Sequence, residues 1–381
     1  MFSKHDIRRN GMMLTGSFAK QGYDWWWHSF TGISQTTGEE RQFFVEYFLC
    51  NPELGKDEPV FGQLKENQEK GIKPSYLMVK AGCWGKEAMQ LHRFFGWKEV
   101  ETDPKIPFHV KADDCFVTED RMCGSVSIKK EESEAHPEWM CDYGEMSWDI
   151  KIEKLIPFNV GYGASTPFRF LKAFEMYWHA EGMKSRMSGT LSCSGELFDI
   201  IPEKSFGYAD KNWGRNFTSP WVWLSSSDLY SEVSHKQLEN SVFDIGGGRP
   251  KVFCFPFNRK LLGAMYYEGK EYEFNFSKFW MNVKTDFDYE ETEDELIWHV
   301  HQSNWTTEMD TEIHCRKDEM LFVNYESPDG KKRHNRLFNG GNGTGTVCLY
   351  EKNRHGKKLI DRMSVRHTGC EYGEYDKENA L

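Results

Sequence analysis

Apolar and polar residues alternate along short stretches of this chain, and turn-forming residues interrupt them at close intervals. The segment from Trp25 to Phe30 leads through Thr36-Thr37-Gly38-Glu39-Glu40 into Phe43-Phe44-Val45-Glu46-Tyr47-Phe48-Leu49, a pair that predicts a β-hairpin. Lys151 to Ile156 alternates as a half-buried strand should. In Phe174 to Ala180 one face carries Phe174, Met176 and Trp178, and the other Glu175, Tyr177 and His179. Ser194-Gly195 reads as the turn of a second hairpin, and Phe116 to Ile128 as two strands turning at Glu119-Asp120. Further strands are expected at 76–81, 251–257, 264–267, 296–301, 321–325 and 345–350. Only Gly85 to Phe95 and Ser231 to Asn240 read as short helices. Many short strands with few helices predict an all-β chain of antiparallel sandwiches or barrels. No low-complexity linker is visible, so two tightly packed domains are expected, an N-terminal one over 1–185 and a C-terminal one over 186–381.

Composition supports that division. A length of 381 residues suits two domains of roughly 150–200 residues each. The apolar fraction is a modest 39%, but aromatics reach 15%, and large rings can build a sizeable core from few aliphatics. The formal net charge of −11 repels a phosphate backbone, which excludes nucleic acid as a partner and disfavours an anionic membrane surface, although it leaves room for a local basic patch. No run approaches the roughly 18 apolar residues of a membrane helix, so no integral membrane segment is expected. The start, Met1 to Asn10, is charged and leads into no apolar stretch, which reads as no signal peptide. The ten cysteines are scattered without a CxxC pair, so they read as reduced, mostly buried thiols in a cytoplasmic protein rather than zinc ligands or a disulfide framework. Nothing sets the oligomeric state.

Several segments resemble the tocopherol cyclase-like family. The strongest is Tyr208-Ala209-Asp210-Lys211-Asn212-Trp213-Gly214, with Glu203-Lys204-Ser205 upstream and Trp221-Val222-Trp223-Leu224 downstream. Gly246-Gly247-Gly248, Leu262-Gly263 and Tyr267 to Phe274 follow in the family's order, and Trp25-Trp26-Trp27 and Gln90 to Phe95 precede it. The resemblance implies two lipocalin-like β-barrel domains joined end to end, with a long apolar substrate held near their junction. It also implies a wider group that includes cyclases, carotenoid hydratases and Diels–Alder-type cyclases. Plant cyclases carry a transit peptide that this start does not match, which sets the chain apart from the plastid setting of the tocopherol substrate.

The chemistry expected of such a chain is proton transfer without a cofactor. On a strand, Asp210 and Asn212 share one face and Lys211 and Trp213 the other. An Asp in an aromatic pocket keeps its proton and can donate it to an alkene, giving a tertiary cation that a phenolic oxygen captures. Trp213, Trp221 or Trp223 could stabilise that cation through a ring face, worth about 0.5–2 kcal/mol each. Asp210 could equally cap a turn or pair with Lys211 or Arg215. His28, on the face of Trp26, and Glu46, within an apolar strand, are the other two acid–base candidates. Trp25 and Trp27, together with Tyr177 and His179, are expected to line the substrate site or remain structural. His299 and His301 flank Val300, with His314 as a third candidate ligand, but the spacing demands no metal and none is assigned. Gly246-Gly247-Gly248 lacks the Lys-Ser/Thr of a phosphate loop and reads as a turn or bulge, as does Gly340-Gly341-Asn342-Gly343. The expected partner is a hydrophobic small molecule. The expected activity is that of a cyclase or isomerase. A hydratase, in which water captures the cation, and a non-catalytic carrier are the alternatives.

Overall fold

A computed structural model of the chain describes residues 10–55, 57–102, 109–158, 171, 173–249, 251–252, 255–256, 258–330 and 333–374. The expected leader-free start at 1–9 and positions 253, 254 and 257 of the expected strand 251–257 lie outside the described residues. Strands dominate. The helices among the described residues are single turns or little more, at Ser17–Lys20, Lys65–Glu69 and Lys130–Ala135. None is long and apolar enough to cross a membrane.

Two large antiparallel sheets carry the chain, each of twelve strands. The first runs from Met89–Phe95 through Tyr76–Cys83, Glu40–Cys50 and Tyr23–Ser34 to Glu196–Ile200, Met176–Cys193, Gly144–Phe158 and Arg121–Ile128, and ends in three short strands over 101–118. Gly207–Gly214 joins it off this path, paired to both Tyr23–Ser34 and Met176–Cys193. The sheet curls on itself: Tyr47 Oη reaches across to Phe116 O at 2.9 Å and Cys123 O at 3.2 Å. The second sheet runs Lys270–Phe274, Lys260–Tyr267, Val242–Gly248, Trp221–Ser226, Gly356–Gly373, Arg333–Asn353, Thr307–Arg316, Glu295–Ser303 and Lys284–Glu291. Leu321–Glu326 pairs onto it beside Arg333–Asn353. The chain passes from one sheet to the other between Gly214 and Trp221, whereas position 185, the expected division, lies inside the strand Met176–Cys193.

Strand alternation separates three apolar layers. Trp26, Phe30, Val45 and Trp148 fill the inside of the first sheet. Leu224, Phe243, Trp298 and Val347 fill the inside of the second. Trp25, Trp27, Phe44, Trp178, Trp223 and Tyr325 form a seam where the two sheets press together.

Three expectations need correction. Gly85 to Phe95 is not a helix: Met89–Phe95 is a strand in continuous register with Tyr76–Cys83, and Leu91 and Phe95 alternate into the core. Ser231 to Asn240 is a hairpin, with Tyr230 opposite Gln237 and a turn at His235 in the left-handed region. Gly246-Gly247-Gly248 is no turn but the end of a strand paired on both sides. A Cβ on Gly246 would sit 2.8 Å from the Trp178 ring, so the missing side chain lets a first-sheet indole pack closely against the second sheet. The second glycine cluster does mark a bulge, since the register shifts between Gly340, Gly343 and Gly345.

Candidate active site

Register decides which side chains meet. Trp27 stands opposite Asp210 on one neighbour and Glu46 on the other, and Trp25 stands opposite Asn212 and Phe48. These residues therefore share the seam face. Trp26 stands opposite Lys211 and Tyr47, and His28 opposite Ala209 and Val45, on the inner face of the first sheet.

The seam holds the buried carboxyls of Asp210, Asp244, Glu371 and Glu46, and indoles and phenols partner them. Trp178 Nε1 donates to Asp210 Oδ2 at 2.7 Å, while Oδ1 is buried without a hydrogen-bond partner. Tyr208 Oη lies 3.2 Å from Asp210 Oδ2 and 3.3 Å from Asp244 Oδ2, on the opposite sheet. Trp223 Nε1 donates both to Tyr208 Oη at 3.1 Å and to Asp244 Oδ1 at 3.2 Å. A phenol has one proton and cannot satisfy two carboxylates, so this arrangement suits a neutral acid in the pair. Burial, with Asp244 and Glu371 adding repulsion, holds the Asp210 pKa well above the usual carboxylate range. Burial does the same to Asp244 against the opposing hydrogen bonds of Trp223 and Tyr208.

Glu371 accepts from Trp221 Nε1 at 2.5 Å and from Asn339 Nδ2, and Asn339 Oδ1 in turn accepts from Trp84 Nε1 at 2.7 Å. Burial outweighs these bonds and pushes Glu371 up to about 7. Glu46 Oε2 lies 3.0 Å from Lys80 Nζ and accepts from Tyr325 Oη at 3.1 Å. Burial moves this pair toward neutrality from both sides, Glu46 upward and Lys80 downward, against their mutual attraction. Lys80 also sits 4.2 Å from the centre of the Tyr325 ring.

Of the residues singled out from sequence, Asp210, Glu46, Trp25, Trp27, Asn212, Trp221 and Trp223 all come to the seam. Trp25 stacks on Tyr325 at 4.9 Å and Trp27 on Phe44 at 4.7 Å. With its amide oriented to satisfy both ends, Asn212 accepts from Trp25 Nε1 at 3.1 Å and donates to Tyr177 O at 3.2 Å, so it braces the sheet.

His28, Trp213, Tyr177 and His179 are not brought to that face. Burial, then Lys154, lowers the His28 pKa to about 3, which keeps the ring neutral inside the first sheet. Trp213 stacks on Tyr177 at 5.4 Å, and His179 Nε2 meets Asn10 Oδ1 at 2.9 Å. Lys211 also points inward, paired with Asp24 and 3.8 Å from the Trp26 ring. It therefore does not neutralise Asp210.

Tyr208, Asp244, Glu371, Lys80, Trp178 and Tyr325 are not among the site residues expected from the sequence. The signal that pointed to Glu46, a charge inside an apolar strand, applies as well to Lys80 in Leu77 to Ala81 and to Asp244 in Phe243-Asp244-Ile245.

Two small cavities border the seam. One, of about 10 Å³, is lined by Tyr208, Trp223, Ser225, Ser226, Ser227 and His367, room for about one water. The other, of about 20 Å³, is lined by Tyr76, His92, Trp139 and Tyr325. A larger cleft of about 390 Å³ lies elsewhere, on the outer face of the second sheet, among Asp286, Asp288, His299, His301 and Glu312. Its histidines pair with exposed carboxylates, His301 with Asp310 at 2.6 Å and His299 with Glu312 at 3.3 Å. His301, Glu308 and Asp310 could together offer a metal three ligand atoms, but Lys357 already meets Glu308. Acid chemistry is better placed in the seam, because burial there raises the pKa of Asp210, Asp244, Glu371 and Glu46 and favours their neutral forms.

The family model described as tocopherol cyclase-like matches residues 117–374. No curated protein sequence matches the chain. Among solved structures, kievitone hydratase from Nectria haematococca is similar at 10% identity and a TM-score of 0.45, over 98% of this chain and 93% of that one. The structure of CghA with Sch210972 is similar at 11% identity and a TM-score of 0.44, over 93% of this chain and 89% of that one.

Proposed function

This chain belongs to the tocopherol cyclase-like family, and on that premise we propose that it is a cyclase whose acid is Asp210, acting on a hydrophobic, phenolic or prenylated small molecule in the seam between its sheets. The observation that carries the reading is a buried carboxyl with one oxygen without a hydrogen-bond partner, the other held by an indole, and a second acid one phenol away. Asp210 would give its proton to an alkene carbon. The resulting tertiary cation would sit among the Trp27, Trp178 and Trp223 rings, and the substrate's phenolic oxygen would close on it. The phenolic proton would return to the carboxylate, directly or through Tyr208, so the product is an isomer of the substrate. Such positioned proton transfer contributes about 10²–10⁴-fold. The acids projecting from the seam also weigh against a carrier, which needs only apolar lining. No step calls on a redox cofactor.

One observation favours a second reading. The small cavity beside Tyr208 and Trp223 is lined by three consecutive serines, Ser225 to Ser227, and suits a water that could capture the cation instead. The product would then be a hydrate.

A panel of prenylated hydroquinones incubated with the protein in deuterated water separates these outcomes. The cyclase reading predicts a product isomeric with the substrate that carries one carbon-bound deuterium, lost with Asp210→Asn. A product heavier by one water would assign hydration. Full turnover by Asp210→Asn would remove the acid from this account.

A further inference from the structure

One end of the second sheet carries three loops tied to one another. Residues 275–283 follow the strand Lys270–Phe274, residues 304–306 follow Glu295–Ser303, and residues 354–355 join Arg333–Asn353 to Gly356–Gly373. Trp305 Nε1 donates to Trp280 O at 3.2 Å. Lys352 N donates to Thr306 O at 2.7 Å, and its Nζ lies 3.2 Å from Asn304 O. This fixed rim presents Phe279, Trp280 and Trp305 to solvent, 80%, 60% and 68% exposed. Rings of that size are normally buried.

The charge of the same rim runs against that of the whole chain. The net charge is −11, yet Lys352-Asn353-Arg354-His355-Gly356-Lys357-Lys358 holds four Lys/Arg and a histidine in seven residues, with no acid among them. Lys357 meets Glu308, and Lys352 lies 4.0 Å from the same carboxylate. Arg354 and Lys358 are exposed, as is Lys284 beside the first loop.

We propose that this rim docks the protein on the surface of an anionic lipid bilayer. Phe279, Trp280 and Trp305 would enter the headgroup region, where amphipathic rings are favoured, and the hairpin cations would face lipid phosphates. A long nucleic acid could also meet cations and aromatics, but it would run past the acidic remainder of the surface, which a bilayer touched only by the rim avoids at physiological ionic strength. The docking does not depend on which reaction the seam performs.

Cosedimentation of the full chain with vesicles tests it. The protein is expected to pellet with vesicles of phosphatidylcholine mixed with phosphatidylglycerol, to pellet less with phosphatidylcholine alone, and to be released by salt. Arg354→Glu with Lys358→Glu should weaken partitioning by about thirtyfold or more. Phe279→Ala, Trp280→Ala and Trp305→Ala combined should abolish it, with the melting transition retained because all three rings are exposed. The proposal fails if the native chain stays in the supernatant with both vesicle types, or if both sets of variants pellet as the native chain does. It fails equally if the native chain binds duplex DNA but not vesicles, or if the aromatic variants instead remove self-association seen by sedimentation velocity without lipid.

Discussion

A carboxyl surrounded by indoles loses the water that would stabilise its charge, and Asp210, Asp244 and Glu371 all show the consequence. Glu371 gives a test that needs no substrate. Its folded pKa is raised to about 7 from an ordinary value of 4.5, so between those values the folded chain binds more protons than the unfolded one. Its contribution to stability is therefore fully present below about pH 4.5 and is lost as pH rises to about 7. Glu371→Gln should flatten that part of the profile, removing a fall of up to about 3 kcal/mol in urea unfolding measured across the range. Asp24 at about 6 and Glu181 at about 7 fall in the same direction and remain in the variant as a background. His28, lowered to about 3, works oppositely: its contribution is lost as pH falls below about 6.5, so acid should destabilise the native chain relative to His28→Gln.

The strands determine which of these groups can act together, and here alternation was readable in the sequence. The expectation that Asp210 and Asn212 point away from Trp213 holds, because two flanking strands fix the register on both sides. His28 lies one residue beyond Trp27, and in a strand that single step places it behind the sheet. What alternation cannot show is the second partner of each face. Asp244 and Glu371 become neighbours of Asp210 only because the sheets press together, and no local pattern encodes that contact. The triple glycine illustrates the same limit. Read locally it is a turn or bulge; in the fold it is a paired strand end that leaves room for Trp178. Gly246→Ala should overpack the seam and cost about 1–3 kcal/mol, read as a lowered denaturant midpoint. A variant as stable as the native chain would show that this packing yields easily.

At the scale of the molecule, the two sheets enclose the proposed chemistry rather than present it. The cavities bordering the seam hold about 10 and 20 Å³, far below the roughly 300 Å³ of a small-molecule site, so substrate entry requires the sheets to part locally. The strand Leu321–Glu326 lies across that seam, and Glu326 fastens it to the first sheet by accepting from Tyr76 Oη at 3.2 Å, and to the turn that precedes Lys65–Glu69 by accepting from Gly62 N at 3.3 Å. The seam's closure favours the neutral form of Asp210, and a protonated Asp210 is the central claim. Infrared difference spectroscopy at neutral pH, native chain minus Asp210→Asn, tests it without any substrate. The account predicts a protonated carboxylic C=O band, shifted in deuterated water, that belongs to the native chain and is lost or displaced in the variant. A difference spectrum showing only the loss of an ionised carboxylate would contradict it.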